Sequence, residues 1–224
     1  IIDFSVGAAV LASAIIGGNL MNMTDTGIPG LALFCILSGV VLASLTGFLN
    51  NKLKIPTFVL ALGLMLVYEA LPRIIFTGGA TIRMKYTKQA LSPWIFIVFG
   101  VMFVIYYVLF NLTTYGHNIR ALGGNEDIAK AAGFNADKIK QISFIISGIF
   151  IGVAATLHMS SNGQILNVSM FGSMSTVLDA FMGVILAFFL AKYCNIAVAV
   201  VVGTFTMNVL ANNLVAAGMG AMTR

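Results

Sequence analysis

Charge is what this sequence has least of: of its 224 residues only 8% are Asp, Glu, Lys or Arg, where an ordinary soluble domain carries about 25%. So little charge cannot cover a compact surface in water, and the mean hydropathy of +1.01 leaves lipid as the medium for most of the outside. A basic face is missing too. The 12 Lys and Arg give a net charge of +5, but they are spread thinly between apolar runs, which excludes a nucleic-acid surface. Cysteine is scarce: Cys35 and Cys194 lie in or beside apolar runs, so there is neither a disulfide framework nor a metal-ligand cluster. No haem or zinc pattern and no nucleophile triad is present, and the 12 Met and 17 Phe read as packing and lipid-facing residues. The chain opens Ile1-Ile2-Asp3 without an initiator Met or a basic leader, and the expectation is a start internal to a longer protein.

What is there is a succession of charge-free stretches: Phe4 to Thr24, Thr26 to Asn51, Ile55 to Tyr68, Gln89 to Ile119, Gln141 to Leu178, Ala180 to Ala191 and Tyr193 to Thr223. A helix crosses roughly 30 Å of hydrocarbon with about 20 residues. The expected fold is therefore all-α, a polytopic transmembrane helical bundle of about seven segments read as one domain over 1–224. Ile55 to Tyr68 must run on over Glu69 to Pro72, and Ala180 to Ala191 is short enough for a re-entrant or broken helix. Gly7, Gly17, Gly18, Asn19 and Asn22 allow an interruption in the first segment. With the polar loop from Tyr115 to Lys140 in the cytoplasm, alternation puts Lys52, Lys54, Arg120, Lys130, Lys138, Lys140 and Lys192 inside. Arg73, Arg83, Lys85, Lys88 and Arg224 then lie outside, a small inside-positive bias.

The polar loop is the most informative segment. Asn125 is placed to cap a short helix, Glu126 and Asp127 occupy its first turn where the dipole favours anions, and Gly133 suits its end. Ala129 and Ala132, three residues apart, put small side chains on one face and would admit a docking surface. A solvated loop helix with no partner is the competing reading.

The residues of this loop also carry a family resemblance. Gly116, Ala121, Gly123, Gly124, Asn125, Ala129, Gly133 and Lys140, then Ser147, Gly148, Gly152 and Ala154, follow the coupling-region pattern of ribose-type (carbohydrate uptake) ABC transporter permeases, the inner-membrane components of binding-protein-dependent transport. Ile2-Asp3-Phe4-Ser5-Val6-Gly7 resembles the family's I-D-L-S-V-G, and Leu53-Lys54-Ile55-Pro56-Thr57-Phe58 its L-K-I-P-x-F. Leu62-Gly63, Gly78-Gly79, Leu178-Asp179-Ala180 and Gly203-Thr204 fit as well. His117, Ile128 and Ala132 depart from the pattern, and Phe181-Met182-Gly183-Val184 with Lys192-Tyr193-Cys194-Asn195 replaces the family's glycine-paired hairpin, which is expected to be built differently here.

The resemblance implies a permease subunit of an importer for a sugar or similar small polar solute, in the bacterial inner membrane. It implies no cofactor on this chain, since ATP would be hydrolysed by a partner ABC ATPase subunit; no G-x-x-x-x-G-K-[ST] phosphate loop occurs here. The other implied partners are a second permease chain and an extracytoplasmic solute-binding protein. Residues 114–140 would be the cytoplasmic coupling segment, with Gly116, Gly123, Gly124, Asn125, Ala129, Ala132 and Gly133 as coupling residues. Two other classes stay open: a secondary transporter or channel working without ATP, and a non-transporting membrane subunit of the same fold.

Ionisable and amide groups at membrane depth are the candidates for a translocation path: Asp3, Ser5, Glu69, His158, Asp179 and Asn208. All but Ser5 have a structural reading beside them. Asp3 would cap a half-helix, Glu69 would pair with Arg73 at i, i+4, and His158 would be hydrogen-bonded at a helix end. Asp179 would cap the segment after it, and Asn208 with Asn212 would bond between helices.

Overall fold

The computed structural model describes residues 3–53, 55–76, 79–83, 86, 94–168 and 170–216. Ile2, Lys54, Gly78, Lys85, Lys88, Gln89 and Arg224, and the side chain of Asp127, lie outside the described residues. In order, the helices are α1 (Ser5–Thr24), α2 (Gly27–Leu53), α3 (Thr57–Ile75), α4 (Trp94–Asn111), α5 (Thr114–Gly124), α6 (Glu126–Ala131), α7 (Ala136–Asn162), α8 (Met174–Leu190) and α9 (Ile196–Ala216). Two-residue strands β1 (Ala80–Thr81) and β2 (Gln164–Ile165) pair antiparallel, Ala80 opposite Ile165 and Thr81 opposite Gln164. Among the described residues six helices are long and apolar enough to cross a membrane, and α8 is a shorter apolar helix. The all-α polytopic bundle read from the sequence is therefore what the chain forms.

The chain clusters into two compact units, residues 1–173 and 174–224. In the first, α1 packs on α2, α3 and α7, and the core is made by Leu11, Ala14, Ile15 and Met21 of α1, Leu31 and Cys35 of α2, and Ala155 and Met159 of α7. α1 is one continuous helix in spite of its glycines and asparagines. Those residues serve packing: a Cβ on Gly18 would lie 2.8 Å from the Met159 methyl group, and one on Gly17 would collide with the Cys35 sulfur. Asn19 Nδ2 donates to the Ile15 carbonyl of its own helix and to the Gly79 carbonyl at 3.0 Å, tying the strand pair to α1. α2 and α7 cross backbone to backbone: a Cβ on Gly39 would stand 2.7 Å from the Gly148 carbonyl oxygen, and one on Gly148 2.7 Å from Val40 Cα. Small residues bring membrane helices together in this way, because lipid tails supply no hydrophobic drive between them. α4 has no buried residue; Trp94, Phe96, Phe99 and Val104 are exposed, while the half-buried Tyr106 packs edge-on against Phe150 of α7.

The second unit is the pair α8 and α9, joined by residues 191–195. Gly183 and Ala187 of α8 meet Gly203 and Thr204 of α9, where a Cβ on Gly203 would lie 2.6 Å from the Gly183 carbonyl oxygen. The hairpin is thus closed by one glycine on each helix.

Candidate functional site

The loop after α4 is built by local rules. Thr113 caps α5 by accepting the Gly116 N–H at 3.2 Å, and Gly116 sits so close to the Phe110 carbonyl that no side chain would fit. Asn125 ends α5 and begins α6: its N–H reaches the Ala121 carbonyl at 3.4 Å, while its Oδ1 accepts the Ile128 N–H at 3.2 Å. The N-cap expected there has formed. Gly133 has φ +89°, its N–H bonds to the Lys130 carbonyl at 3.0 Å, and the Phe134 N–H bonds to the Ala129 carbonyl at 3.1 Å. That pair of hydrogen bonds is a Schellman stop, which needs a residue free to turn left-handed.

Side chains then lock this segment onto the bundle. Lys140 Nζ contacts both carboxyl oxygens of Glu126 at 2.8 Å, and Lys130 adds a second contact to Oε1 at 2.8 Å. The two cations hold the Glu126 carboxyl down at about 2, well below the usual carboxylate range. Tyr115 donates to Ser143 Oγ at 2.8 Å, fixing α5 to α7, and Asn51 at the end of α2 donates to the Asp137 carbonyl at 2.9 Å. Three helix ends therefore meet here.

The alanine face foreseen in α6 is divided. Ala129 is 4% exposed, buried against its own chain, whereas Ala132 is exposed. Four residues before Ala132, Ile128 is 68% exposed, and Phe134 adds an exposed ring just beyond the helix. Gly123 and Gly124 have open space around them. The outward surface is consequently Gly123, Gly124, Ile128, Ala132 and Phe134, with Gly116, Asn125, Ala129 and Gly133 shaping the segment from within.

The other expected residues divide among different places. Asp3 and Ser5 come together: Asp3 Oδ1 accepts the Ser5 N–H at 2.8 Å and the Ser5 hydroxyl at 2.7 Å, the cap foreseen for the start of α1. Glu69 does not pair with Arg73. Its buried carboxyl turns to the chain after β2, and Arg73 donates to the Val168 carbonyl at 2.7 Å instead. His158 lies half-buried in α7 with Nδ1 buried and without a hydrogen-bond partner among the described residues, contrary to the expected helix-end bond. Asp179 caps nothing, because α8 already begins at Met174; it is an exposed side chain in the second turn. Asn208 is exposed and donates to the Thr204 carbonyl of its own helix at 2.9 Å, so its amide is used locally rather than between helices.

Two features escape sequence reasoning. The Glu126 to Lys130 pair was readable from its i, i+4 spacing, but nothing in a linear pattern selects Lys140 as the second partner. Nor does any local signal couple Glu69 to residues about a hundred positions later.

The family described as branched-chain amino acid transport system, permease component, matches residues 1–223. The chain belongs to that family. Among relatives, the ribose import permease protein RbsC of Escherichia coli is 24% identical over 171 residues, covering 71% of this chain and 53% of its own length. The autoinducer 2 import system permease protein LsrC of Photorhabdus luminescens is 28% identical over 218 residues, 85% of this chain and 64% of its own. The L-arabinose transport system permease protein AraH of E. coli is 27% identical over 174 residues, 72% of this chain and 52% of its own. The chain thus spans between half and two-thirds the length of these relatives. No solved structure matches. The ribose-type permease resemblance read from the motifs is borne out, and the chain is a multi-pass membrane protein of a permease family.

Proposed function

We propose that this chain is the transmembrane permease subunit of an ABC importer that moves a sugar or similar small polar solute across the bacterial inner membrane. The observation that carries the reading is the coupling segment: a short helix capped at both ends, clamped to α7 through Glu126 and Lys140, and presenting Ile128 and Ala132 outward. A rigid exposed helix at the end of a membrane bundle can pass a push from a docked ATPase into α7, which leads through the core of the bundle. The chain itself does no covalent chemistry and holds no cofactor; ATP is bound and hydrolysed by the separate subunit. Work is done by preferring one conformation in each nucleotide state, since a partner that bound both equally would shift nothing.

A second permease chain completes the path, and an extracytoplasmic binding protein delivers the solute. The relatives named for ribose, L-arabinose and autoinducer 2 support the solute class. Of the path candidates, Asp3 and Ser5 serve each other and Asn208 its own helix, so Asp179 and His158 are the better solute contacts.

The test is affinity capture of the full-length parent from its native membrane, comparing wild type with Ala132→Glu. Ala132 is the position to change, because a charge at buried Ala129 would disturb folding and binding together. An ATP-binding-cassette ATPase carried by wild type and lost from the variant is the expected result. A folded parent that carries no ATPase sinks the proposal and sends the search to gradient-driven flux.

A further inference from the structure

The last two turns of α3 grip the chain that follows β2. Glu69, 6% exposed, accepts three hydrogen bonds: Oε1 from the Ser173 N–H at 2.8 Å and the Ser173 hydroxyl at 2.6 Å, and Oε2 from the Phe171 N–H at 2.8 Å. One turn on, Arg73 donates to the Val168 carbonyl at 2.7 Å, and the Phe76 carbonyl accepts from Asn167 Nδ2 at 3.0 Å. Glu69 and Arg73 are one turn apart and Phe76 follows at once, so the end of α3 holds Asn167, Val168, Phe171 and Ser173 at several points.

The gripped backbone is not at rest. Phe171 has φ +60°, in the left-handed region that a bulky side chain rarely adopts, and its ring is 48% exposed. No contact of a buried ring explains that conformation, whereas a hydrogen bond from its own N–H does. Strain of this kind persists only where the surroundings impose it, and it collects at functional segments. A carboxyl group buried in a membrane helix is itself costly unless its donors are supplied. Both costs are met by the same three hydrogen bonds. Ser173, fully buried, is the residue immediately before α8.

We propose that Glu69 is a positioning residue for transport: it holds residues 171–173 in a strained turn, and solute transfer requires that turn. This rests on the transport reading above. Glu69 acts through the turn and touches no solute.

The experiment uses the full-length parent assembled with its partner subunits in proteoliposomes, as wild type, Glu69→Gln and Ser173→Ala. Glu69→Gln keeps the size but sets an NH2 group against a donor; Ser173→Ala removes one donor of three. Hydrogen exchange is read at the amides of Phe171 and Ser173, alongside the maximal rate and half-saturating concentration of ribose uptake, with arabinose as the second solute. Both amides should exchange slowly in wild type and about tenfold or more faster in Glu69→Gln, the size expected for losing buried bonds to a carboxyl group. Maximal uptake should fall by about the same factor at unchanged half-saturation and unchanged ATPase capture, with Ser173→Ala between the two. Wild-type uptake by Glu69→Gln, or equally fast exchange in both proteins, overturns the proposal. Slow exchange in a wild-type parent that moves no solute under ATP overturns the transport role and the reading it rests on, while leaving the grip itself standing.

Discussion

At the scale of single residues, glycine sets how closely the helices approach and glutamate ties distant segments together. Gly152 lies so close to Ile36 that a Cβ there would run into its Cα, with the Cys35 carbonyl oxygen only 2.7 Å away; these are backbone atoms and cannot rotate aside. Gly152→Ala should therefore push α7 off α2 and lower stability by about 1–3 kcal/mol, the usual cost of overpacking. Gly63→Ala is the control, because among the described residues nothing lies within 4 Å of its Cβ position, and it should be neutral or gain slightly from helix propensity. Thermal unfolding in detergent compares them, and equal midpoints would show that the crossing is not tight. Glu126 makes a different prediction. Its carboxyl is held at about 2 against an ordinary 4.5 by Lys130 and Lys140. A depressed carboxyl stabilises the fold fully above its unfolded value and loses that contribution as pH falls through the folded one. Carboxyl carbon NMR should put the midpoint near 2, and Lys140→Met should raise it; a wild-type midpoint near 4.5 would mean that neither lysine is in place.

At the scale of elements, the sequence was most legible where one element obeys one local rule. Apolar runs bounded by charge marked the membrane helices, and Asn125 with Gly133 marked both ends of α6. It was least legible where a side chain chooses between a near partner and a far one. Glu69 and Arg73 have the spacing of an ion pair, yet each binds backbone groups far along the chain, Arg73 the Val168 carbonyl and Glu69 the N–H groups of Phe171 and Ser173, because the fold brings those unpaired groups within reach of the end of α3. Ala129 and Ala132 look equivalent by spacing, but α6 ends at Ala131, so Ala129 is held inside the helix against its own chain while Ala132 lies in the exposed turn that leads to Gly133. The glycines of α1 read as weak points for the same reason: composition shows their flexibility and hides the neighbours that fill their surfaces. Asp179 was misjudged through the start of α8, which lies six residues earlier than a capping role would require.

At the scale of the whole molecule, the first unit has two chemically distinct ends. α7, with 27 residues, is about 40 Å long at 1.5 Å per residue, more than the hydrocarbon thickness. Its first turns carry the coupling segment and its last lead into the strand pair beside Asp25 and Arg83, which form an exposed ion pair at 3.1 Å. Lys52, Arg120, Lys130, Lys138 and Lys140 gather at the coupling end, and Arg73 and Arg83 at the other. An inside-positive orientation would put the first of these ends in the cytoplasm, as the proposed function requires. Single cysteines test this in a background with exposed Cys194 replaced by Ser; Cys35 is buried and can stay. Met23→Cys, at a position 72% exposed at the strand-pair end, should react with a membrane-impermeant maleimide in intact spheroplasts. Ala132→Cys should react only in inverted vesicles. The reverse pattern would turn the bundle over, leaving the coupling segment on the side without ATP, and an importer driven by a cytoplasmic ATPase could not be built on that orientation.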